Sequence, residues 1–460
     1  MKKRLCLAMA GVIAAASASA LLAACGEEKY DLTYATWNLS TEAVNNVERQ
    51  MIKKFEDANG VKVKIEEVSV SGTAYEDSIS ALAIKDKLPD VFMLPNINFG
   101  LKNRYVSDIT ELVNADTTGD WDKIPDAIEE GVHFKNGIYA IPFSMNMMGY
   151  FANVDLIEQY NADQYLEGEF TYDNFVELVR ALNKPADGVM GLSHEQTILE
   201  WYPSSVNADL GWFTWDGSAY HLDGDEFKAG IEKTHEMRQN KLTYDSLSDD
   251  DRAANFEGID GYVGLWDAGK LGLRWGYSYE APDMSRNVDN IKFLGVPGGK
   301  TPMLGDYVAI SSSCQNRELA YKFAKWMSFD SAGITQRIEL EKKVTNTLPM
   351  TVDTELIQKY FDKFTLVDGL QEAYEKLDTG IVECVKVVPG YTLSRWKALC
   401  GANVTIQDAS GTSITNPELG VLLDACWMGT EQFAQFAANC NTLANEKYKS
   451  AIKQFENYYD

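Results

Sequence analysis

Residues 32–65, LTYATWNLSTEAVNNVERQMIKKFEDANGVKVKI, predict how the first part of this chain folds. The run 32–37 is apolar and rich in residues that favour strands. Residues 41–58 place apolar side chains at helical spacing, and the following Gly60 is a typical helix stop. In 61–65 apolar residues alternate with lysines, which indicates a half-exposed strand. The segment therefore predicts a strand, a helix and a second strand.

The next residues extend this alternation. A helical pattern covers about 75–87, and an apolar strand pattern follows over 90–94. A strand-helix-strand-helix-strand order is typical of α/β proteins with a parallel sheet and helices on its faces. Ligands of such sheets bind beyond the carboxyl ends of the strands. Trp37 and Asn38, at the end of the first strand, are therefore predicted to contact a ligand.

The rest of the chain is long enough for a second core. The whole chain has 460 residues, 45% of them hydrophobic, and single cores rarely grow beyond ~250–300 residues. The remaining patterns predict a hairpin over 137–143 and 147–153, a helix over 171–183, strands at 262–266, 291–296 and 307–311, and mainly helix from Arg317 onward, with two long helices between Pro417 and Tyr459.

The amino terminus has the pattern of a secretion signal. Three basic residues, Lys2 to Arg4, precede an uncharged stretch rich in Ala, Leu and Ser that ends in Leu-Ala-Ala-Cys at Cys25. This junction resembles the lipobox of bacterial lipoproteins, in which the cysteine carries the lipid. We expect a signal peptide over 1–24, a lipidated tether over 25–29, and a protein anchored to the membrane on its extracytoplasmic side; an uncleaved anchor is the alternative.

The charge and the motifs exclude several functions. A net charge of −26 argues against nucleic acid, which is bound by clustered Lys and Arg. No His or Cys spacing is typical of zinc, the Asp-rich loops do not fit a calcium loop, and Gly299-Lys300-Thr301 lacks the first glycine of a phosphate loop. No metal and no cofactor are expected. The mature cysteines, Cys314, Cys384, Cys400, Cys426 and Cys440, allow either disulfides among the last four or buried thiols.

Aromatic residues beside polar ones point to carbohydrate. Several of the ten Trp lie in predicted loops, for example Trp201 after Glu200 and Trp266 before Asp267. Sugars stack on aromatic rings and donate hydroxyl protons to Asp, Asn and Glu. Each single Trp has core packing as its alternative. No serine-hydrolase or metalloprotease motif occurs. The two carboxylates of a glycosidase have no fixed spacing in sequence, so the residues alone leave both a binding protein and an enzyme open.

Four stretches together resemble a known family. They are ALAIKDKLPDVF at 81–92, NGIYAIPFSMNMMGYFANVDL at 136–156, FTYDNFVELVRAL at 170–182, and 293–329 with its Pro-Gly-Gly turn and following helix. In this order and spacing they are similar to the extracellular solute-binding proteins of ABC importers, on the carbohydrate-binding, maltose-binding-like branch.

The resemblance implies a two-lobed α/β fold, each lobe a mostly parallel sheet flanked by helices. Lobe one would hold 30–143 and 302–350, lobe two 148–298 and 354–460, and crossovers would lie near 144–147, 299–301 and 351–353. A monomer that binds carbohydrate between the lobes, closes by hinge bending and delivers it to a membrane permease is implied.

The predicted site combines residues from both lobes. Trp37 and Asn38 lie at the end of the first strand, Asn146 lies just past the first crossover strand, and Asp306 and Tyr307 lie at the second. Trp201 and Trp266 are expected to face them as stacking platforms. A secreted carbohydrate-active enzyme and a receptor for a non-sugar solute remain the alternatives.

Overall fold

The computed structural model describes residues 29–39, 46–69, 72–345, 347–377, 380–390, 404–408 and 410–459. The predicted signal peptide, Cys25 and Cys400 lie outside these ranges. No helix within them is long and apolar enough to cross a membrane.

Helices are distributed along the whole described chain. The first are α1 Val47–Asn59, α2 Gly72–Ile84, α3 Ile97–Asn103, α4 Thr110–Ala115, α5 Asp126–Glu130, α6 Val154–Gln159, α7 Tyr172–Leu182, α8 Ile198–Val206, α9 Asp225–Gln239 and α10 Asp249–Asn255. The others are α11 Gly261–Asp267, α12 Ala281–Met284, α13 Arg317–Met327, α14 Ser331–Leu340, α15 Thr354–Lys363, α16 Leu370–Tyr374, α17 Cys384–Val387, α18 Leu419–Met428 and α19 Ala437–Lys453.

The strands are β1 Leu32–Ala35, β2 Val63–Ile65, β3 Val91–Leu94, β4 His133–Phe134, β5 Gly137–Ile138, β6 Ile141–Asn153, β7 Met190–Leu192, β8 Leu271–Tyr277, β9 Ile291–Gly295, β10 Pro302–Ile310, β11 Ile381–Val382, β12 Thr405–Gln407 and β13 Ser413–Thr415. The predicted order of strands and helices at the amino end is confirmed.

Helix α1 shows how local sequence sets its ends. The Asn46 side chain accepts a hydrogen bond from the Arg49 backbone N–H, which caps the first turn. Met51 and Phe55 are buried, and Gly60 follows in the left-handed conformation, with φ of 65°. The predicted helix therefore ends where the sequence indicated.

One sheet runs through the molecule in the order β2-β1-β3-β10-β6-β8-β7, with β9 beside β6 and β11 beside β10. The pairs β1–β2, β1–β3, β7–β8 and β10–β11 are parallel. The antiparallel pairs of this sheet all involve β6 or β10. The α/β class is confirmed, and these two long strands connect its two ends.

The hairpin predicted over 137–143 and 147–153 is wrong. No turn separates its two predicted strands, because β6 is one strand of 13 residues that continues through this position. Its first half pairs with β10, and its second half pairs with β8 and β9. Asn146, in the expected turn, pairs with Leu304. Every residue of β6 except the half-buried Ser144 is buried, so packing from both sides favours a continuous strand over a turn.

The strand predicted at 262–266 is also wrong, since these residues lie in α11. Leu265 and Trp266 are both fully buried, whereas Val263 is 43% exposed. A half-exposed strand would turn two consecutive side chains to opposite faces. The aromatic and β-branched composition of this stretch indicated a strand, and tertiary packing selected a helix.

Two hydrophobic cores fill the molecule. The first surrounds β1, β3 and α13 with residues such as Phe55, Phe92 and Phe323. The second surrounds α7, α8 and α18, with Phe175 at its centre. Tyr360 and Tyr374 of α15 and α16 belong to the first core. Most buried apolar residues from Ile381 onward belong to the second core, and Phe455 near the carboxyl end returns to the first.

Candidate functional site

A cavity of about 720 Å³ lies where β6 and β10 run side by side. Four of the predicted site residues line it: Trp37, Asn38, Asn146 and Asp306. They come from three separate parts of the chain, and the sheet brings them to one place. This volume is suited to a ligand of several hundred Å³ with apolar faces and convergent polar contacts.

The end of β1 forms one wall. The ring of Trp37 packs edge-on against Tyr75, with centroids 4.9 Å apart, which holds its orientation. The Asn46 amide donates to the Asn38 carbonyl oxygen at 2.8 Å. The N-cap of α1 therefore fixes the loop that carries both predicted residues.

The paired strands supply polar groups. Ser144 and Asp306 are opposite each other in the ladder, and the serine hydroxyl donates to the aspartate carboxylate at 2.8 Å. The Ser278 hydroxyl donates to the Asn146 side-chain oxygen at 3.2 Å. Because each of these carboxylate and amide groups is held by a neighbour, the strands present oriented hydrogen-bond acceptors and donors to the cavity.

Lys386 of α17 reaches the same wall from the second core. Its ammonium group donates to the Asp306 carboxylate. The same nitrogen lies 6.0 Å from the centroid of the Trp37 ring, within reach of a cation–π interaction. The carboxylate of Asp306 is therefore balanced by a cation in addition to its hydrogen bond from Ser144.

The opposite wall comes from α1 and α14. Arg337 donates to the Glu48 carboxylate at 2.8 Å and to the Met327 carbonyl oxygen at 3.0 Å. Glu341, one turn after Arg337, also lines the cavity and is buried. This wall is charged, and its single guanidinium group is bonded to Glu48.

Tyr279 provides the exposed aromatic surface of the cavity. It lies in the short turn Ser278–Glu280 after β8, is 48% exposed, and stacks on Tyr277 with centroids 5.4 Å apart and an angle of 17°. A ring that is supported on one face and open on the other is suited to stacking against a flat ligand surface.

Trp201 and Trp266 are not at the cavity. Both are fully buried. The Trp201 indole donates to the Tyr150 hydroxyl at 3.2 Å, and the Trp266 indole donates to the Met284 carbonyl oxygen at 3.0 Å. Both indole N–H groups are hydrogen-bonded inside the cores. In the structure these two residues therefore pack in the cores, which was the alternative stated for each single Trp.

Tyr307 also points away from the cavity, although it follows Asp306. The ladder with β6 shifts register between these two residues. Tyr307 is 2% exposed, and its hydroxyl finds no hydrogen-bond partner among the described residues. Consecutive strand residues face opposite sides of the sheet, so Asp306 faces the cavity and Tyr307 faces the core.

Two further carboxyls close to this region have raised pKa values. Burial raises the pKa of Glu383 to about 7, and nearby Lys386 opposes this shift. Burial together with the Glu383 carboxylate raises the pKa of Glu200 to about 8. Glu383 is on the segment between β11 and α17, and Glu200 is on α8. The charge of the Glu383 carboxylate therefore affects the pKa of a carboxyl on a different element.

A smaller cavity, of about 370 Å³, lies on the other side of the segment 381–389. Its lining includes Trp212, Trp215 and Asp216 of the second core region and His133 from the first part of the chain. The segment that carries Lys386 therefore lies between two cavities.

Sequence reasoning missed Glu48, Tyr279, Arg337, Glu341 and Lys386. Arg337 and Glu48 are separated by 289 positions in the chain, and no local pattern connects them. Trp37 was selected because it lies at the end of a predicted strand. Tyr279 lies just past the end of β8, so the same criterion would have found it only if β8 had been predicted.

The comparisons with known proteins agree with this geometry. The sequence profile of the family described as bacterial extracellular solute-binding protein matches residues 41–334. Among curated proteins, none matches the sequence.

Several solved structures have the same fold. An ABC substrate-binding protein from Listeria monocytogenes, in complex with cycloalternan, is 16% identical, with a TM-score of 0.63 over 91% of this chain and 99% of that one. The sugar-binding protein MalE from Xanthomonas citri is 13% identical, with a TM-score of 0.66 over 92% and 99%. The GacH receptor of Streptomyces glaucescens is 14% identical, with a TM-score of 0.60 over 93% and 98%. These neighbours confirm the predicted two-lobed α/β fold, and they are binding proteins.

Proposed function

The chain belongs to the bacterial extracellular solute-binding proteins, and from this premise we propose that it is the carbohydrate receptor of an ABC importer. It captures an oligosaccharide in the cavity beside β6 and β10 and delivers it to the membrane permease. The substrate-binding residues of this proposal are Trp37, Asn38, Asn146 and Asp306 from the sequence, together with Tyr279 from the structure.

The observation that carries the proposal is the composition of the cavity wall. Trp37 and Tyr279 offer aromatic faces, and Asn146 and Asp306 offer oriented polar groups. A sugar ring presents apolar C–H faces and a fringe of hydroxyls, so it needs both kinds of surface at once. The neighbours from Listeria monocytogenes and Streptomyces glaucescens were solved in complex with cycloalternan and with acarbose, and they share the fold. These carbohydrate-type ligands support the same ligand class here.

Thermal unfolding with a panel of mono- and oligosaccharides tests the proposal. A ligand that binds only the folded state stabilises it by ~2.7 kcal/mol at a hundredfold excess over its dissociation constant. We expect at least one glycan to raise the melting temperature in a concentration-dependent way, and chromatography to recover it intact. Cleavage at catalytic rates would favour the carbohydrate-active enzyme, and stabilisation by peptides alone would favour a non-sugar receptor.

We place the lobes at 30–143 with 302–350 and at 148–298 with 354–460, with crossovers near 144–147, 299–301 and 351–353. The continuity of β6 through the first crossover supports the first division. The packing of Tyr360 and Tyr374 in the first core favours moving the last boundary to the residues just before Ile381.

We also propose a monomer anchored through a lipid on Cys25, facing the extracytoplasmic side. Two acyl chains hold a protein on a membrane stably, whereas one does so only marginally. Cys25→Ala should therefore release the protein or leave the unprocessed precursor, as fractionation with immunoblotting would show. A mature-size band that stays with the membrane would contradict the lipid anchor.

A further inference from the structure

The charges that line the main cavity do not balance. Among its described lining residues, Glu48, Asp306 and Glu341 are acidic, and Arg337 and Lys386 are basic. Lys386 pairs with Asp306, and Arg337 pairs with Glu48 at 2.8 Å. Both cations are therefore bonded to other carboxylates, and Glu341 is left over.

Glu341 is isolated in a way that the other two carboxylates are not. It is 8% exposed and lines the cavity, yet no hydrogen bond or ion pair within the described part of the chain reaches its carboxylate. Burial raises the pKa of this carboxyl to about 7; Arg337 opposes the shift, Glu48 adds to it, and Lys363 opposes it. A buried carboxylate without a partner is costly, and a hydrogen-bonded cation offsets part of that cost.

We propose that Glu341 binds a protonated amino group of the ligand, so that the preferred carbohydrate is an amino sugar with a free amine. This inference rests on the carbohydrate function proposed above and names its substrate class. A neutral hydroxyl can donate one hydrogen bond to Glu341, but it leaves the negative charge of the carboxylate uncompensated unless the carboxyl itself binds a proton. An ammonium group supplies both the donor and the missing positive charge, in a charge-assisted hydrogen bond.

The experiment compares sugars that differ in one substituent. The best neutral glycan of the panel is measured by calorimetry beside its 2-amino-2-deoxy and 6-amino-6-deoxy counterparts and beside the N-acetylated forms of both. At neutral pH we expect one free amine to bind about tenfold or more tightly than both the hydroxyl and the acetamide forms, as expected for a charge-assisted contact in a buried site.

Glu341→Gln is the matched variant, because it keeps the size of the side chain and removes its charge. It should reduce the preference for the amine to about twofold or less while affinity for the neutral sugar changes little. Glu339→Gln, at an exposed position near the end of α14, which Glu341 follows, is the control and should retain the preference. Melting curves establish that both variants are folded.

Equal affinities of wild-type protein for amine and hydroxyl forms would overturn the inference and leave the carbohydrate function in place. The wild-type comparison decides this point even if Glu341→Gln were unstable. A preference for the amine that survives in folded Glu341→Gln would also overturn it. If no sugar of any kind binds, the proposed function fails and the inference fails with it.

Discussion

At the residue scale, burial separates the tryptophans that pack from those that can bind. Trp37 is half-buried and lines the cavity, whereas Trp201 is fully buried with its indole bonded to Tyr150. The sequence shows both beside polar residues, and this local context cannot distinguish them. What differs is the set of distant residues that surrounds each ring, which only the fold determines.

Substitutions should separate these two roles. Trp37→Ala and Tyr279→Ala remove aromatic contacts from the cavity, and we expect each to weaken glycan binding by ~2–4 kcal/mol. Trp201→Ala creates a void in the second core and should cost ~3–5 kcal/mol of folding free energy. Calorimetric affinity and urea unfolding, measured on the same samples, distinguish the outcomes. Unchanged affinity of folded Trp37→Ala and Tyr279→Ala would place the ligand elsewhere.

The polar part of the site was partly predictable from sequence. Asn38, Asn146 and Asp306 were selected because they follow or flank predicted strands, and all three line one cavity. Arg337 and Lys386 were not predictable, since each acts through an ion pair with a residue far away in the chain. Local patterns predict where strands end, and they do not predict which helices pack across those ends.

At the element scale, the amphipathic helices were predicted more reliably than the long central strand. Helix α7, predicted over 171–183, extends from Tyr172 to Leu182 and begins where Thr171 caps it. Strand β6 was predicted as two strands because its middle contains the polar Ser144 and Asn146. These residues are polar because they face the cavity, so the site itself disturbed the strand pattern.

The contact between α8 and the segment before α17 makes stability depend on pH. The folded-state pKa values of Glu200 and Glu383, about 8 and about 7, lie above the value of ~4.3 of glutamate in an unfolded chain. The folded state therefore binds these protons more tightly than the unfolded state does. Their contribution to stability is fully present below pH ~4.3 and is lost as the pH rises through about 7 and 8.

We expect the free energy of unfolding to fall between about pH 5 and about pH 9, with Glu200→Gln showing a smaller fall because a neutral amide has no proton to lose. Urea unfolding at several pH values measures this slope. Glu232→Gln, at an exposed position on α9, should behave like the wild type. Identical slopes for wild type and Glu200→Gln would show that Glu200 is not protonated preferentially in the folded state.

At the scale of the whole molecule, two cores share one sheet through β6 and β10, and Lys386 provides a contact between them. It lies on α17, in which Cys384 belongs to the second core, as does Val388 directly after the helix. It bonds to Asp306 on β10 and lies over the Trp37 ring, which packs on the first core. The cavity is thus lined by a side chain that stands on a segment of the second core and contacts residues beside the first core.

This arrangement predicts that Lys386→Met changes the lobe arrangement and the affinity together. Methionine keeps much of the side-chain length but cannot pair with Asp306, so the unliganded protein should populate more open arrangements. Because the apparent dissociation constant rises as the fraction of binding-competent molecules falls, affinity should decrease. Small-angle X-ray scattering should show a larger radius of gyration without ligand and an unchanged one at saturation. If affinity falls while the radius of gyration without ligand stays the same, Lys386 acts only by contacting the sugar, and the lobes are positioned by the paired strands alone.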